Sequence, residues 1–247
     1  MWELYDALIE TLPEELTVDE VVCGKGWTMV RSGECVGLAM TIHETARPAK
    51  RTQPWEGAKL KDVAAYVKSW NFEEAAVGLA AINAFCNAPE QVRKNGIVLF
   101  DEGSVPENDA FLSNVDVFRD KRVCVVGHFP YLEQRVAPYC ALSILERAPR
   151  DGDFPDSACE YILPEQDFVF ITGCTLVNKT LPRLLALSQN AHVVLVGPSV
   201  PLSPIMFRFG ANELAGTVVT RPDLCARLAE SGGPSIFQAG QMVRFVK

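Results

Sequence analysis

Arg122-Val123-Cys124-Val125-Val126-Gly127-His128-Phe129-Pro130 is the stretch that decides the fold. Val123 to Val126 is a short, wholly apolar run with no in–out alternation, the pattern of a strand buried on both faces. A glycine ends it, and Pro130 suits the first turn of a following helix, where a missing N–H costs nothing. The same unit recurs downstream. Leu142 to Leu145 ends in Glu146, Phe168 to Ile171 in Thr172-Gly173, Val193 to Val196 in Gly197, and Ala215 to Val219 in Thr220. Helical stretches separate them: Tyr131 to Cys140, Leu181 to Leu187, Pro204 to Phe209 and Pro222 to Glu230.

Short apolar strands alternating with helices predict a parallel sheet covered on both faces, a Rossmann-like half. The first hundred or so residues read differently. Trp2 to Leu12 carries Tyr5, Leu8 and Leu12 on one helical stripe. Val18 to Cys23, Trp27 to Arg31 and Cys35 to Thr41 read as strands, with Gly24, Gly26 and Gly33 at the turns. A basic loop, His43 to Trp55, leads to helices at Lys59 to Trp70 and from Asn71 to about Cys86. Asn71 with Glu74 forms a capping-box pattern at the start of the second. Asn87 to Lys121 reads as a connector with a short helix near Asp109 to Val117. The expected fold class is therefore α/β: a small α+β (β-β-β-α-α) domain over residues 1–105, then a Rossmann-like parallel-sheet domain over 106–247.

The chain has 247 residues and a formal charge of -8, which disfavours bulk attraction to nucleic acid or anionic membranes. No apolar run approaches the ~20 residues that span a bilayer, and Met1-Trp2-Glu3 is not a basic leader. A soluble, cytoplasmic protein is the expectation. Cys23, Cys35, Cys86, Cys124, Cys140, Cys159, Cys174 and Cys225 show no C-x-x-C and no Cys/His pair at ligand spacing, so they read as buried, reduced small hydrophobes, and no metal ligands are assigned.

In a parallel sheet, ligands sit outside the carboxyl ends of the strands. The first such loop is Gly127-His128-Phe129-Pro130. Glu146 ends the next strand, where dinucleotide folds place a ribose-binding acid, but a single glycine replaces the G-x-G-x-x-G that lets a backbone approach a pyrophosphate. Classical NAD binding is disfavoured; Glu146 reads as a hydroxyl-binding group or a solvated strand end. Thr172-Gly173-Cys174-Thr175 through Asn178-Lys179-Thr180 opens a helix and reads either as a cap or as a polar binding loop. Gly197 to Pro204 has three prolines framing Ser199 and Ser203. It reads as a stiff pocket wall or a rigid turn. His192 opens a strand and reads as structural, and a Cys174–His128 nucleophile pair is a minor alternative. In the first half, Trp27 and Thr28 follow a tight turn, Trp70 precedes a helix, and Asn83 and Asn87 share a helical face. Those asparagines brace the helix or face a cleft.

Together Gly127-His128-Phe129-Pro130, Glu146 to Asp153, Ile171-Thr172-Gly173 with Leu176 to Thr180, Gly197-Pro198-Ser199 with Pro201 to Pro204, Ala215-Gly216, Trp27-Thr28, and Ser69-Trp70-Asn71 with Ala81 to Ala84 resemble the putative heavy-metal chelation domain proteins of bacteria and archaea. The resemblance spans nearly the whole chain. It implies an enolase N-terminal-like domain before the Rossmann-like one, and a site between them. Relatives often carry threonine at the position of Cys174, which weighs against a catalytic thiol.

The residues expected to contact a ligand are Trp27, Thr28, Trp70, Asn83, Gly127, His128, Phe129, Pro130, Glu146, Thr172, Gly173, Thr175, Asn178, Ser199 and Pro201. The expected partner is a small molecule, with no nucleic acid and no membrane; a homodimer is a further expectation. The leading function is an enzyme acting on a polar, metal-chelating metabolite resembling a pterin, flavin or siderophore, its reaction class and cofactor left open. The alternatives are a non-catalytic metal or chelate-binding module and a methyltransferase-like protein holding S-adenosylmethionine.

Overall fold

The computed structural model describes residues 2–43, 47–101, 109–232 and 234–247. The expected boundary at 105/106 and part of the basic loop after His43 lie outside them. Helix α1 (Glu3–Glu10) is followed by strands β1 (Glu20–Cys23), β2 (Trp27–Ser32) and β3 (Cys35–Met40), which pair in that order as an antiparallel sheet. The β2–β3 turn is Gly33-Glu34, with Gly33 at φ 59°, a left-handed conformation that glycine adopts without strain. Alternation along β2 sends Trp27 and Met29 to one face and Val30 to the other. Both faces are covered, so even Thr28 and Ser32 on the Val30 face are buried.

Helix α2 (Leu60–Ala64) tightens into a 3-10 turn over Ala65–Lys68 and stops before Trp70. Helix α3 (Phe72–Cys86) is buried all round between α2 and the small sheet. Asn71 caps it through Oδ1, which accepts from the Glu74 N–H at 3.0 Å. The reciprocal arm of the capping box goes elsewhere. The Glu74 carboxylate accepts from the backbone N–H groups of Lys50 and Arg51 and from Ser69 Oγ, at 2.6, 2.7 and 2.6 Å, and so pins the basic loop instead.

The connector contains a helix absent from the expectation, α4 (Pro89–Lys94), with proline in its first turn and an Asn95-Gly96 end. A 3-10 turn and α5 (Val115–Phe118) follow. Strand β4 (Arg122–Val126) opens the second sheet. The stretch expected to be one helix from Tyr131 to Cys140 is α6 (Leu132–Arg135) and a separate 3-10 turn, because Pro138 cannot continue an α-helical ladder. Strands β5 (Ala141–Glu146) and β6 (Phe154–Pro155), helix α7 (Cys159–Ile162), β7 (Phe168–Thr172), α8 (Leu181–Leu187), β8 (His192–Val196), α9 (Ile205–Arg208), β9 (Glu213–Val219), α10 (Pro222–Ser231) and β10 (Gly240–Val246) complete the chain.

The large sheet runs β10-β9-β8-β7-β4-β5-β6, parallel except for β10. Its central order is 2-1-3-4-5, and the direction of strand addition reverses at β4. One face carries Cys124, Val126, Val169 and Ile171; the other carries Val123, Val125, Phe168 and Phe170. The protein is thus a mixed α/β molecule with a small antiparallel sheet and a larger, mostly parallel one. The two share core. A single apolar cluster runs from Tyr5 and α3 into Val169, Leu176 and Leu202, and α10 from the chain's end packs on β2. No helix among the described residues is long and apolar enough to cross a membrane.

Candidate functional site

The carboxyl ends of β4, β5, β7, β8 and β9 open into one cleft of about 1690 Å³, walled on its far side by Trp27, Met40, Thr41 and His43 of the first half. The β4 loop enters it through Gly127, held at φ 101° with its open side against Thr172. His128 follows. Its backbone N–H donates to Glu146 Oε2 at 2.8 Å, and its Nδ1 faces both oxygens of Asp153 at 3.0 Å. Nε2 lies 3.2 Å from Glu133. The His128 and Asp153 side chains are only 6% and 1% exposed, so this pair is held by the fold. Both ring nitrogens of His128 thus face carboxylates, Nδ1 that of Asp153 and Nε2 that of Glu133.

Glu146 lines the cleft as expected, but its carboxylate is committed to backbone. Oε2 takes the His128 N–H, and Oε1 takes those of Arg147 and Ala148 at 2.7 and 3.4 Å. It shapes the first loop. Tyr131 donates to Asp109 at 2.8 Å on the same rim, and burial pushes its phenol well above the usual range. Phe129 and Phe111 meet edge-on at 5.0 Å and form an aromatic wall.

The β7 loop contributes Thr172, Cys174, Thr175, Asn178 and Lys179. Thr172 Oγ1 accepts from the Cys174 N–H and so starts a 3-10 turn. The Cys174 thiol lies 3.5 Å from Met40 Sδ and 4.0 Å from Ser199 Oγ, and burial raises its pKa. No His128 contact is among its hydrogen bonds, so the Cys174–His128 pair is not formed. Asn178 Oδ1 accepts from the N–H and Oγ1 of Thr180 at 3.2 and 2.7 Å, a local turn at the start of α8; no hydrogen bond of its Nδ2 to protein is found among the described residues. From the β8 loop, Ser199 Oγ accepts from the Met40 N–H at 2.9 Å and joins the two halves.

The cleft thus gathers Trp27, Gly127, His128, Phe129, Pro130, Glu146, Thr172, Thr175, Asn178 and Ser199. It leaves out five expected residues. Thr28 is buried against Thr41 Oγ1 at 2.9 Å. Asn83 donates to Leu38 O at 2.8 Å behind the small sheet. Gly173 is packed too tightly on Ser199 and Val200 to present a surface, and Pro201 is buried. Trp70 meets Trp2 edge-on, with Lys179 Nζ 5.9 Å from its ring, and is not part of the cleft wall. Asn87 braces: Nδ2 donates to Val200 O and Thr217 O, and Oδ1 accepts from the Leu202 N–H at 2.8 Å. His192 stacks on Phe168, and burial lowers its pKa. Sequence reasoning missed Asp153, Asp109, Lys179 and the β10 residues Gln241 and Met242 as cleft-associated groups. The Asp-Gly-Asp turn beside Glu146 was the one signal for Asp153. Among the described residues no three His, Cys, Asp or Glu side chains gather in metal-binding geometry.

The fold and cleft define a class: α/β proteins with a polar-rimmed site where parallel strands end against a small antiparallel sheet. Two family profiles, each described as "Putative heavy-metal chelation", match this chain, DUF364 over residues 109–247 and DUF4213 over residues 5–86. The chain belongs to the DUF364 family. A crystal structure of a DUF364 protein of unknown function from Desulfitobacterium hafniense is 45% identical, covers 100% of this chain and 99% of that one, and superposes with a TM-score of 0.93. One from Pyrococcus horikoshii, 21% identical over 99% of this chain and 98% of its own, shares the fold with a TM-score of 0.79. An uncharacterized protein of Methanocaldococcus jannaschii is 29% identical over 198 residues, 77% of this chain and 72% of its own.

Proposed function

We propose that the chain is an enzyme that binds a small, polar, planar metabolite in the cleft, with His128 as its proton-transfer group and Asp153 orienting it. The convergence of four strand-end loops and the small sheet's edge on one cavity carries this reading. Trp27 and Phe129 offer flat apolar walls, while Asn178 and Ser199 supply polar contacts. The domains are taken as 1–105, enolase N-terminal-like, and 106–247, Rossmann-like, with the ligand between them. The family's description enters through the ligand. A pterin-, flavin- or siderophore-like chelator would hold the metal, since the described side chains do not assemble a first coordination sphere of their own. The methyltransferase-like alternative is weaker, because Glu146 is already engaged by three backbone N–H groups.

Native mass spectrometry with elemental analysis of the purified protein, after exposure to a cell metabolite extract, tests the proposal. An organic adduct of small-molecule mass, with metal only when that adduct is present, is expected. Stoichiometric metal on an otherwise bare chain would replace this reading with the chelate-binding module.

A further inference from the structure

Lys179 is one of two described non-glycine residues with positive φ, at 69°; Asp120 is the other. A left-handed backbone is strained for a residue other than glycine, and such strain clusters at functional sites. The Asn178–Thr180 turn around it holds the conformation. The side chain borders the cleft but has no carboxylate partner among the described residues. Its Nζ donates to Val177 O at 2.5 Å and lies 5.5 and 5.9 Å from the ring centres of Phe72 and Trp70. Rings at the outer limit of cation–π range attract an ammonium weakly. Burial outweighs that attraction and depresses the pKa from 10.5 to about 7. About half the amine is then neutral near pH 7, with its lone pair available.

We infer that Lys179 is a nucleophile that captures a carbonyl carbon of the cleft ligand as an imine. The inference rests on the metabolite reading above and names the substrate class: an aldehyde or ketone borne on a planar ring. The Nζ lone pair adds to the carbonyl carbon, and proton transfer from nitrogen to oxygen gives a carbinolamine. Loss of water, its second proton taken from the nitrogen, leaves the C=N bond. No electrons are transferred, and no other reagent is required.

Pyridoxal, a planar aromatic aldehyde, is the probe. The full-length protein is treated with it at pH 7 in the presence of sodium cyanoborohydride, and labelled lysines are followed by peptide mapping. The chain has nine lysines. Lys179 should be labelled roughly tenfold or more faster than exposed Lys59 and Lys94, since burial lowers its own pKa and leaves more of its amine neutral than in an ordinary lysine. Without reductant, one imine absorbance per chain should form in the wild type and be lost in Lys179→Arg. Lys179→Gly suits the left-handed backbone and serves as the fold-preserving control, also without the absorbance. Labelling of Lys179 no faster than of Lys59 and Lys94, or an imine absorbance retained in Lys179→Gly, overturns the inference. If Lys179 lags while the organic adduct is still found by native mass spectrometry, the imine alone falls. If Lys179 leads but only bare metal is bound, the nucleophile stands and the metabolite reading falls.

Discussion

The two sheets differ in what their strand ends do. In the small sheet, turns return each strand to its neighbour, Gly33-Glu34 closing β2 onto β3. In the large sheet, each of the parallel strands β4, β5, β7 and β8 ends in a loop with side chains to present, and His128, Glu146, Thr172 and Ser199 stand there. The small sheet supplies a wall of the cleft, and the large sheet supplies most of its polar side chains. Neither stands alone, because β2 packs between α3 of its own half and α10 of the other.

Two glycines test that shared packing most severely. A Cβ on Gly37 would lie 2.0 Å from Ala80 O, inside the first half; one on Gly24 would lie 1.9 Å from Ala229 O, on the seam with α10. Overpacking against backbone of this kind costs about 3 kcal/mol or more. We expect Gly37→Ala and Gly24→Ala to lower the urea midpoint of one common transition seen by all probes. A Gly24→Ala protein that loses only the small sheet, leaving the parallel sheet's transition unmoved, would make the halves independent.

Asn83 on α3 and Asn87, one turn on and just past its end, sharpen the same contrast. Asn83 has one bond, to Leu38 O, and an Oδ1 without a partner, whereas Asn87 makes three bonds across the seam. Asn87→Ala leaves several buried groups unpaired and should cost about 3 kcal/mol; Asn83→Ala should cost about 1 kcal/mol. Denaturant unfolding of both variants checks the order.

Lys179 adds a pH dependence. Above 10.5 the amine is neutral in folded and unfolded chains alike. As pH falls from there towards about 7, the unfolded chain takes up a proton that the folded one excludes. The native state is therefore penalised increasingly across that window, and fully below it. Lys179→Met should be more stable than the wild type near pH 7, with the difference closing as the buffer approaches pH 10.5; urea midpoints at several pH values check this. The smallest effect belongs to His43. Its Nδ1 meets Glu73 at 3.0 Å and its Nε2 meets Lys25 O at 2.9 Å, and the Glu73 contact raises its pKa above 6.5. That contribution is complete below pH 6.5 and fades as pH rises through the folded value. His43→Gln should lower the melting temperature slightly in acid and hardly at all in alkali.

Much of this architecture was legible because the signals were local. Short, mostly apolar runs ending in glycine or a polar residue located β4, β5, β7, β8 and β9 but not the two-residue β6, and Pro182 and Pro222 marked the starts of α8 and α10. The antiparallel β10 was not legible: Gly240–Val246 mixes apolar residues with Gln241 and Arg244, and only pairing with β9 makes it a strand. The site was half legible. Loops at strand ends could be named, but not which polar atoms the protein itself would claim. Glu146 serves three backbone N–H groups, and Asp153 reaches His128 across 25 positions, a contact set by the folding of the Asp151-Gly152-Asp153 turn. Trp70 is the residue type that stacks on ligands, yet it packs on Trp2 and does not line the cleft.

The account stands most directly on Asn178, which lines the cleft and whose Oδ1 holds Thr180. The measurement is retention of the organic adduct by Asn178→Ala in native mass spectrometry, with its melting temperature recorded alongside. Loss of one ligand hydrogen bond, worth about 0.5–1.5 kcal/mol, predicts several-fold weaker retention. Loss of the local turn predicts a melting temperature within a few degrees of the wild type. A variant that unfolds readily yet retains the adduct as the wild type does would make Asn178 a helix-start residue only and contradict the assignment of the cleft.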